Sequence, residues 1–247
     1  GRQQAQAAAE ELHRVLAALE LPVPSRVYSS PLGRCLETAR IVADAFGVSH
    51  LLVEEGLMET VCEAWMRQWA VPGADGRWGG PLHAAMQEEA LKAYEPTVQG
   101  PPYAASALRP EALAGLEALL WTTPQLAAGA AGPGAPGVDP RHRSIVNLRG
   151  RGYCWGNFEA KADVEQRLVD TINARVAQNA MRTLVFVSHG GPTMYTFKAL
   201  TGNAVPSGSG GMASISVLRK LPGHSWRWEP LVANDARHSA AFHEGVK

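Results

Sequence analysis

Short apolar runs alternate along this chain with longer stretches whose apolar residues recur every three or four positions. The short runs are typical of strands, and they fall at 26–30, 51–53, 184–188, 214–218 and 226–232. The longer stretches are typical of amphipathic helices, at 5–19, 31–47, 158–181 and 192–202. Strands and helices in alternation predict an α/β fold with a mostly parallel sheet.

One strand–turn–helix segment stands out near the carboxyl end. His189 and two glycines directly follow the strand at 184–188, and Pro192 falls in the first turn of the next helix, which Gly202 closes. His189 is therefore expected at the carboxyl end of a strand, where open α/β sheets hold their ligands. The free amides of the helix N-terminus favour an anion there. A core histidine in a tight turn fits the same local pattern.

A second segment near the start repeats this layout. The strand at 26–30 is followed by Pro31, which opens a helix, and Arg34 lies in its first turns. The two segments together predict an arginine and a histidine at equivalent strand ends.

Composition narrows the function classes. The 247 residues allow one domain, and the net charge of zero gives no general reason to expect nucleic acid or an anionic membrane as a partner. No apolar run reaches the length of a spanning helix. The three cysteines, Cys35, Cys62 and Cys154, form no CxxC pattern, so neither a disulfide framework nor zinc is indicated, and a reducing compartment is favoured.

The sequence SSPLGRCLETA at 29–39 and the sequence VSHGG at 187–191 resemble the histidine phosphatase superfamily, also called phosphoglycerate mutase-like. The N-terminal helix, the acidic and basic residues Glu159, Asp163 and Arg167, and the late Asn-Asp-x-x-His at 234–238 are also similar to that family. The resemblance implies a three-layer α/β fold with a mostly parallel central sheet flanked by helices.

The resemblance also implies roles for single residues. Arg34 would hold the phosphoryl oxygens, His189 would add a second donor, and the Gly190 amide would assist. Glu59 belongs to EEGLME at 54–59, which resembles the branch of Sts-type protein phosphatases and ecdysteroid-phosphate phosphatases. It would protonate the leaving oxygen or activate water. Glu63 is a second candidate, and Glu59 as a solvated helix-start residue is the alternative. These roles need no metal or other cofactor.

The family's nucleophile is the histidine of an Arg-His-Gly segment, which occurs nowhere in these 247 residues; Arg-His-Arg at 141–143 lacks the glycine and the preceding strand. We expect that segment upstream of Gly1, on a strand lying between the two strands that carry the motifs. The chain alone should then bind a phosphoryl group without turning it over.

Two functions remain open at this stage. The first is a phosphatase acting on a phosphorylated small molecule or phosphoprotein, with neither nucleic acid nor membrane as partner. The second is a catalytically inactive family member that serves as a scaffold subunit with protein partners. Either function would use one domain over 1–247, with a variable insertion at about 70–110 beside the pocket, a helix at 111–121 and a flexible Ala/Gly/Pro loop at about 122–140.

Overall fold

The computed structural model describes residues 1–60, 136–148, 159–202, 211–221 and 228–242. The predicted insertion at 70–110, the predicted helix at 111–121, most of the predicted loop at 122–140 and the reserve candidate Glu63 lie outside the described residues.

Helices and strands alternate through the described part of the chain, in the order that follows. The elements are α1 (Arg2–Ala18), β1 (Arg26–Ser29), α2 (Gly33–Ala45), β2 (His50–Val53), a 3-10 turn (Glu55–Leu57), β3 (Gly137–Val138), α3 (Lys161–Gln178), β4 (Leu184–Val187), α4 (Gly190–Thr201), β5 (Ile215–Lys220), β6 (Trp228–Asp235) and a final 3-10 segment (Arg237–Phe242). The left-handed Gly202, at φ 74°, ends α4, as its position after the apolar pattern predicted.

The central sheet has four strands in the order β3-β2-β1-β4, and every pair in it is parallel. The register places Tyr28 of β1 between Leu52 of β2 and Phe186 of β4. Because the strands are parallel, β1, β2 and β4 all end at the same edge of the sheet, and the loops that follow them meet there.

Neighbouring residues of the inner strands point into different cores, which makes the fold three-layered. Val27 and Leu51 pack in one core with α1 and α2, whereas Tyr28 and Leu52 pack in the other with α3 and α4. The predicted α/β architecture, a mostly parallel sheet flanked by helices, is confirmed.

The end of the predicted Ala/Gly/Pro loop is not a free loop. Residues 137–138 form β3, which pairs in parallel with β2 through His50–Gly137 and Leu51–Val138. The backbone of Asp139 also donates to the carbonyl of Leu51. The backbone groups at the edge of β2 require partners, and Val138 packs against the core, so this end of the segment is ordered by the sheet.

From the sequence, an additional strand is expected between the two strands that carry the motifs. This prediction is wrong, because β1 and β4 pair with each other directly from Arg26–Leu184 to Ser29–Val187. All four residues of β4 are half-buried, although the apolar run at 184–188 is typical of a buried strand. Among the described residues nothing pairs with the second edge of β4. That edge borders a cavity of about 1950 Å³, and the antiparallel pair β5–β6 forms a separate sheet that contributes to its wall.

Candidate functional site

Two helices begin at the carboxyl edge of the sheet, and each presents one candidate residue there. Arg34 is the second residue of α2, which follows β1, and His189 is the N-cap of α4, which follows β4. Since β1 and β4 are neighbours in the sheet, the two side chains meet. Gly190 is the first residue of α4, so its amide is among the N–H groups for which a helix start has no internal partner.

The structure brings Arg34, Glu59 and His189 together. Arg34 contacts Nδ1 of His189 through its Nη2 at 2.8 Å and its Nε at 3.2 Å. A carboxylate oxygen of Glu59 lies 3.9 Å from the same Nδ1. The Glu59 carboxylate also accepts a hydrogen bond from the amide of Thr60, and it lies against Gly191, where an added Cβ would be 3.5 Å from Oε1.

Two further residues contact the imidazole, and the sequence did not reveal their part. The hydroxyl of Ser30 lies 2.8 Å from Nε2 of His189, and the sulfur of Cys35 lies 3.5 Å from the same atom. Both residues belong to the SSPLGRC motif, which was the available sequence signal. The motif does not show which of its residues contact His189. Because a guanidinium can only donate, Nδ1 accepts from Arg34, and Nε2 therefore carries the proton and donates to Ser30.

Burial is the main influence on the ionisation of this cluster. Burial, followed by the nearby charges of Arg34 and Arg167, holds the pKa of His189 well below its ordinary value, so the imidazole is neutral at neutral pH. Burial also raises the pKa of the Glu59 carboxyl, although Thr60, Arg34 and Arg167 act against it. The Cys35 thiol has its pKa raised to about 12 by burial and is not a nucleophile at neutral pH.

His142, from the Arg-His-Arg sequence at 141–143, lies away from this cluster. Its Nε2 is 2.7 Å from Oε1 of the buried Glu54, which Arg175 of α3 also contacts. That group of charges ties the 139–146 segment to α3 and takes no part in the candidate site.

Within the described part of the chain, no group of three or more His, Cys, Asp or Glu residues is arranged to hold a metal ion. None of the helices that the structure describes is long and apolar enough to cross a membrane.

The fold and the cluster together define an α/β protein with a pocket at the carboxyl edge of its parallel sheet. An arginine, an imidazole and the first amides of a helix line that pocket, and one carboxyl group stands beside them. Residues 1–102 match the model of the histidine phosphatase superfamily (branch 1). Over that part of the chain, this match agrees with the superfamily that the sequence motifs resemble. No curated protein sequence matches the chain.

Alignments with solved structures cover nearly all of the chain. The structure of Bacillus stearothermophilus YhfR is 18% identical over 96% of this chain and 84% of its own, with a TM-score of 0.50. A mycobacterial glucosyl-3-phosphoglycerate phosphatase is 21% identical, over 95% of this chain and 86% of its own, with a TM-score of 0.48. At 18% identity, the likeness to YhfR concerns the fold alone.

Proposed function

We propose that this protein is a phosphomonoester hydrolase of the histidine phosphatase type, which acts through a phosphohistidine formed on a residue upstream of Gly1. The observation that carries the proposal is the convergence of Arg34, Glu59 and His189 on one pocket. Nη2 of Arg34 lies 2.8 Å from Nδ1 of His189, and a carboxylate oxygen of Glu59 lies 3.9 Å from the same atom. Its substrate class is a phosphorylated small molecule or a phosphoprotein.

Each residue of the pocket has a role that its chemistry supports. The planar guanidinium of Arg34 binds two phosphoryl oxygens, and His189 with the amide of Gly190 contacts the third. Glu59 has its pKa raised by burial, which favours the protonated form that a general acid needs for the leaving oxygen. The charge that develops during transfer is stabilised by these preorganised donors.

None of these residues is suited to in-line attack. Nδ1 of His189 accepts from Arg34 and Nε2 donates to Ser30, so residues of the pocket engage both ring nitrogens. The Cys35 thiol is inert at neutral pH because of its raised pKa. A separate nucleophile is therefore part of the proposal.

The cavity beside β4 has room for a segment that would carry this nucleophile. It runs along the half-buried 184–187 strand and the 215–220 strand, and it reaches Arg34, Glu59 and His189. Apolar residues of α1 and α3 complete its walls. We propose that an upstream strand bearing Arg-His-Gly fills this cavity and pairs with β4 in parallel. A parallel strand ends at the same sheet edge as β4, so its final histidine would stand beside His189.

The test compares residues 1–247 with the same chain extended by its native upstream sequence. Thermal unfolding and the hydrolysis of p-nitrophenyl phosphate are measured for both forms. The phosphoenzyme is trapped and analysed at alkaline pH, because the P–N bond of a phosphohistidine is hydrolysed in acid. The proposal predicts that the extended form is more stable, turns over the substrate and forms a phosphohistidine on the upstream segment.

Two outcomes would contradict the proposal. Turnover by residues 1–247 alone would show that the nucleophile lies within them. An extended form that folds, lacks an upstream Arg-His-Gly and stays inactive would favour the scaffold function instead.

A further inference from the structure

We infer that Arg167 is a positioning residue for Glu59, and that it fixes the carboxyl group against the anion pocket through the backbone of residues 56–59. The inference rests on the proposed function for its catalytic meaning, but its structural part stands on contacts alone. Arg167 lies on α3, has a fully buried side chain and is not among the described residues that line the pocket.

All five N–H donors of the Arg167 guanidinium are used, and they divide into two groups. Nε and Nη2 bind the two carboxylate oxygens of the buried Glu159 at 2.5 and 2.8 Å. Nη1 donates to the carbonyls of Gly56 and Met58 at 2.9 and 2.8 Å, and Nη2 also donates to the carbonyl of Glu59 at 3.0 Å. Only an arginine supplies five donors in one plane.

The remaining carbonyl of this segment is also held by a side chain. The hydroxyl of Ser188, at the end of β4, donates to the carbonyl of Leu57 at 2.6 Å. Four consecutive carbonyls, from 56 to 59, therefore bind side chains from α3 and from the β4 end. Residues 56–59 follow β2 and form no sheet hydrogen bonds. The side-chain contacts to their carbonyls therefore fix the backbone position of Glu59.

The fit between this segment and α3 is close. A Cβ on Gly56 would lie 1.9 Å from Oγ1 of Thr171, one turn along α3 from Arg167. The carboxylate of Glu159 neutralises Arg167, which allows the guanidinium to be buried. We conclude that the segment is fixed both by packing and by the Arg167 bonds, and that a small displacement would move Glu59 relative to His189.

The experiment uses the full-length protein and a matched pair of variants on the same helix. Arg167→Lys keeps the charge but has too few donors for both Glu159 and three carbonyls. Arg175→Lys is the control, because Arg175 is also a buried α3 arginine, pairs with Glu54 and has no contact with 56–59. Both variants are expected to lower Tm, so Tm does not distinguish a positioning role from a structural one.

The distinguishing measurement is an NMR titration of the ¹³C-labelled Glu59 carboxyl, assigned with Glu59→Gln. The charged and titratable groups facing Glu59 are Arg34 and Cys35 of α2, His189 at the start of α4 and Arg167 of α3. In Arg167→Lys the carboxyl should become more exposed to water and its pKa should fall towards 4.5, whereas Arg175→Lys should leave it unchanged.

Turnover provides the second measurement. Arg167→Lys should lower kcat by about 10- to 100-fold with little change in KM, since misplacing a catalytic group is costly while phosphoryl binding by Arg34 is kept. Arg175→Lys should keep kcat. An unchanged Glu59 pKa and kcat in Arg167→Lys, or equal changes in both variants, would overturn the inference. If the wild-type protein shows no turnover, the phosphatase proposal fails by itself, and the titration alone decides whether Arg167 positions Glu59.

Discussion

The guanidinium of Arg34 contacts Nδ1 of His189 at 2.8 Å, across the ends of two adjacent parallel strands. The two residues are 155 positions apart in the sequence, and each belongs to the first residues of a different helix. The imidazole therefore occupies part of the donor capacity of Arg34 that an anion would use. Anion binding must rearrange this contact, and the affinity for an anion should therefore depend on pH.

Binding of a dianion should be coupled to proton uptake at His189. The pKa of this imidazole is held well below its ordinary value, and a dianion in contact with it would raise that pKa. Sulfate is a suitable probe because its own charge is constant near neutral pH. Its affinity, measured calorimetrically between pH 8 and 5.5, should increase as the pH falls, by at most about tenfold per pH unit for one proton.

The control for that prediction separates the two titrating groups of the pocket. In Glu59→Gln the pH dependence of sulfate affinity should persist, because His189 remains. In Glu59→Gln/His189→Gln it should disappear. Sulfate affinity that does not vary with pH in the wild-type protein would contradict the coupling.

Glu59 should reduce the stability of the fold at neutral pH. Burial raises its pKa above 4.5, so the native state binds this proton more tightly than the unfolded state does. The favourable contribution is complete below the unfolded pKa and is lost as the pH rises through the native pKa. Glu59→Gln should therefore have a higher Tm than the wild type at pH 7, by about 2–4 °C for each 1 kcal/mol gained in a protein of this size.

That gain should vanish in acid. Below about pH 4 both forms carry a neutral group at position 59, so the two Tm values should converge. The exposed carboxylate Glu37 on α2 provides the control, and Glu37→Gln should show no comparable gain at pH 7. A Tm for Glu59→Gln that is below the wild-type value at pH 7 would be evidence against burial as the dominant influence on Glu59.

Gly56→Ala should destabilise the protein, because the new Cβ would lie 1.9 Å from Thr171 Oγ1 and 2.9 Å from its Cβ. Overpacking of this kind costs about 1–3 kcal/mol in the free energy of unfolding, measured by chemical denaturation. Gly33→Ala is the control, since no atom lies within 4 Å of a Cβ added there. Adding Thr171→Ala to Gly56→Ala should recover part of the loss, and full stability of Gly56→Ala alone would show that the segment is loosely held.

Cys35 should be unreactive in the folded protein despite its contact with His189. With its pKa raised to about 12, only about one thiol in ten thousand is ionised at pH 8. Alkylation at pH 8 followed by peptide mass spectrometry should leave Cys35 unmodified until the protein is denatured, and Cys35→Ala should keep most of its activity. Rapid alkylation of the native thiol, or loss of turnover in Cys35→Ala, would indicate a chemical role for this cysteine.

Much of the fold could be predicted from the sequence, because the apolar periodicity directly reflects burial. The helices α1, α2 and α3 and the strands β1, β2 and β4 were predicted close to their observed positions. The sequence does not determine strand order, which depends on contacts far apart along the chain. The direct pairing of β1 with β4 could therefore not be predicted. The short β3 forms only by pairing with the edge of β2, so its sequence alone predicts a loop.

The candidate site was predicted through motifs, and its supporting contacts were not. Arg34, Glu59 and His189 were selected together, whereas the bonds from Arg167 to the 56–59 carbonyls were not predicted. A charged residue on the buried face of α3, near Val164 and Leu168, was the available signal. Charge pairing alone, however, does not reveal that an arginine will bind three backbone carbonyls of another segment.

The central claim is that Arg34 and His189 bind the phosphoryl group during its transfer. It is tested most directly by kcat/KM for p-nitrophenyl phosphate hydrolysis by the full-length protein and its Arg34→Ala and His189→Ala variants, with the exposed Arg14→Ala as the control. Loss of one placed donor should cost roughly 3 to 4 kcal/mol of transition-state stabilisation, about 100- to 1000-fold in rate. The account predicts a loss of that order in both pocket variants and none in Arg14→Ala. Unchanged kcat/KM in Arg34→Ala and His189→Ala, with both variants folded, would contradict it.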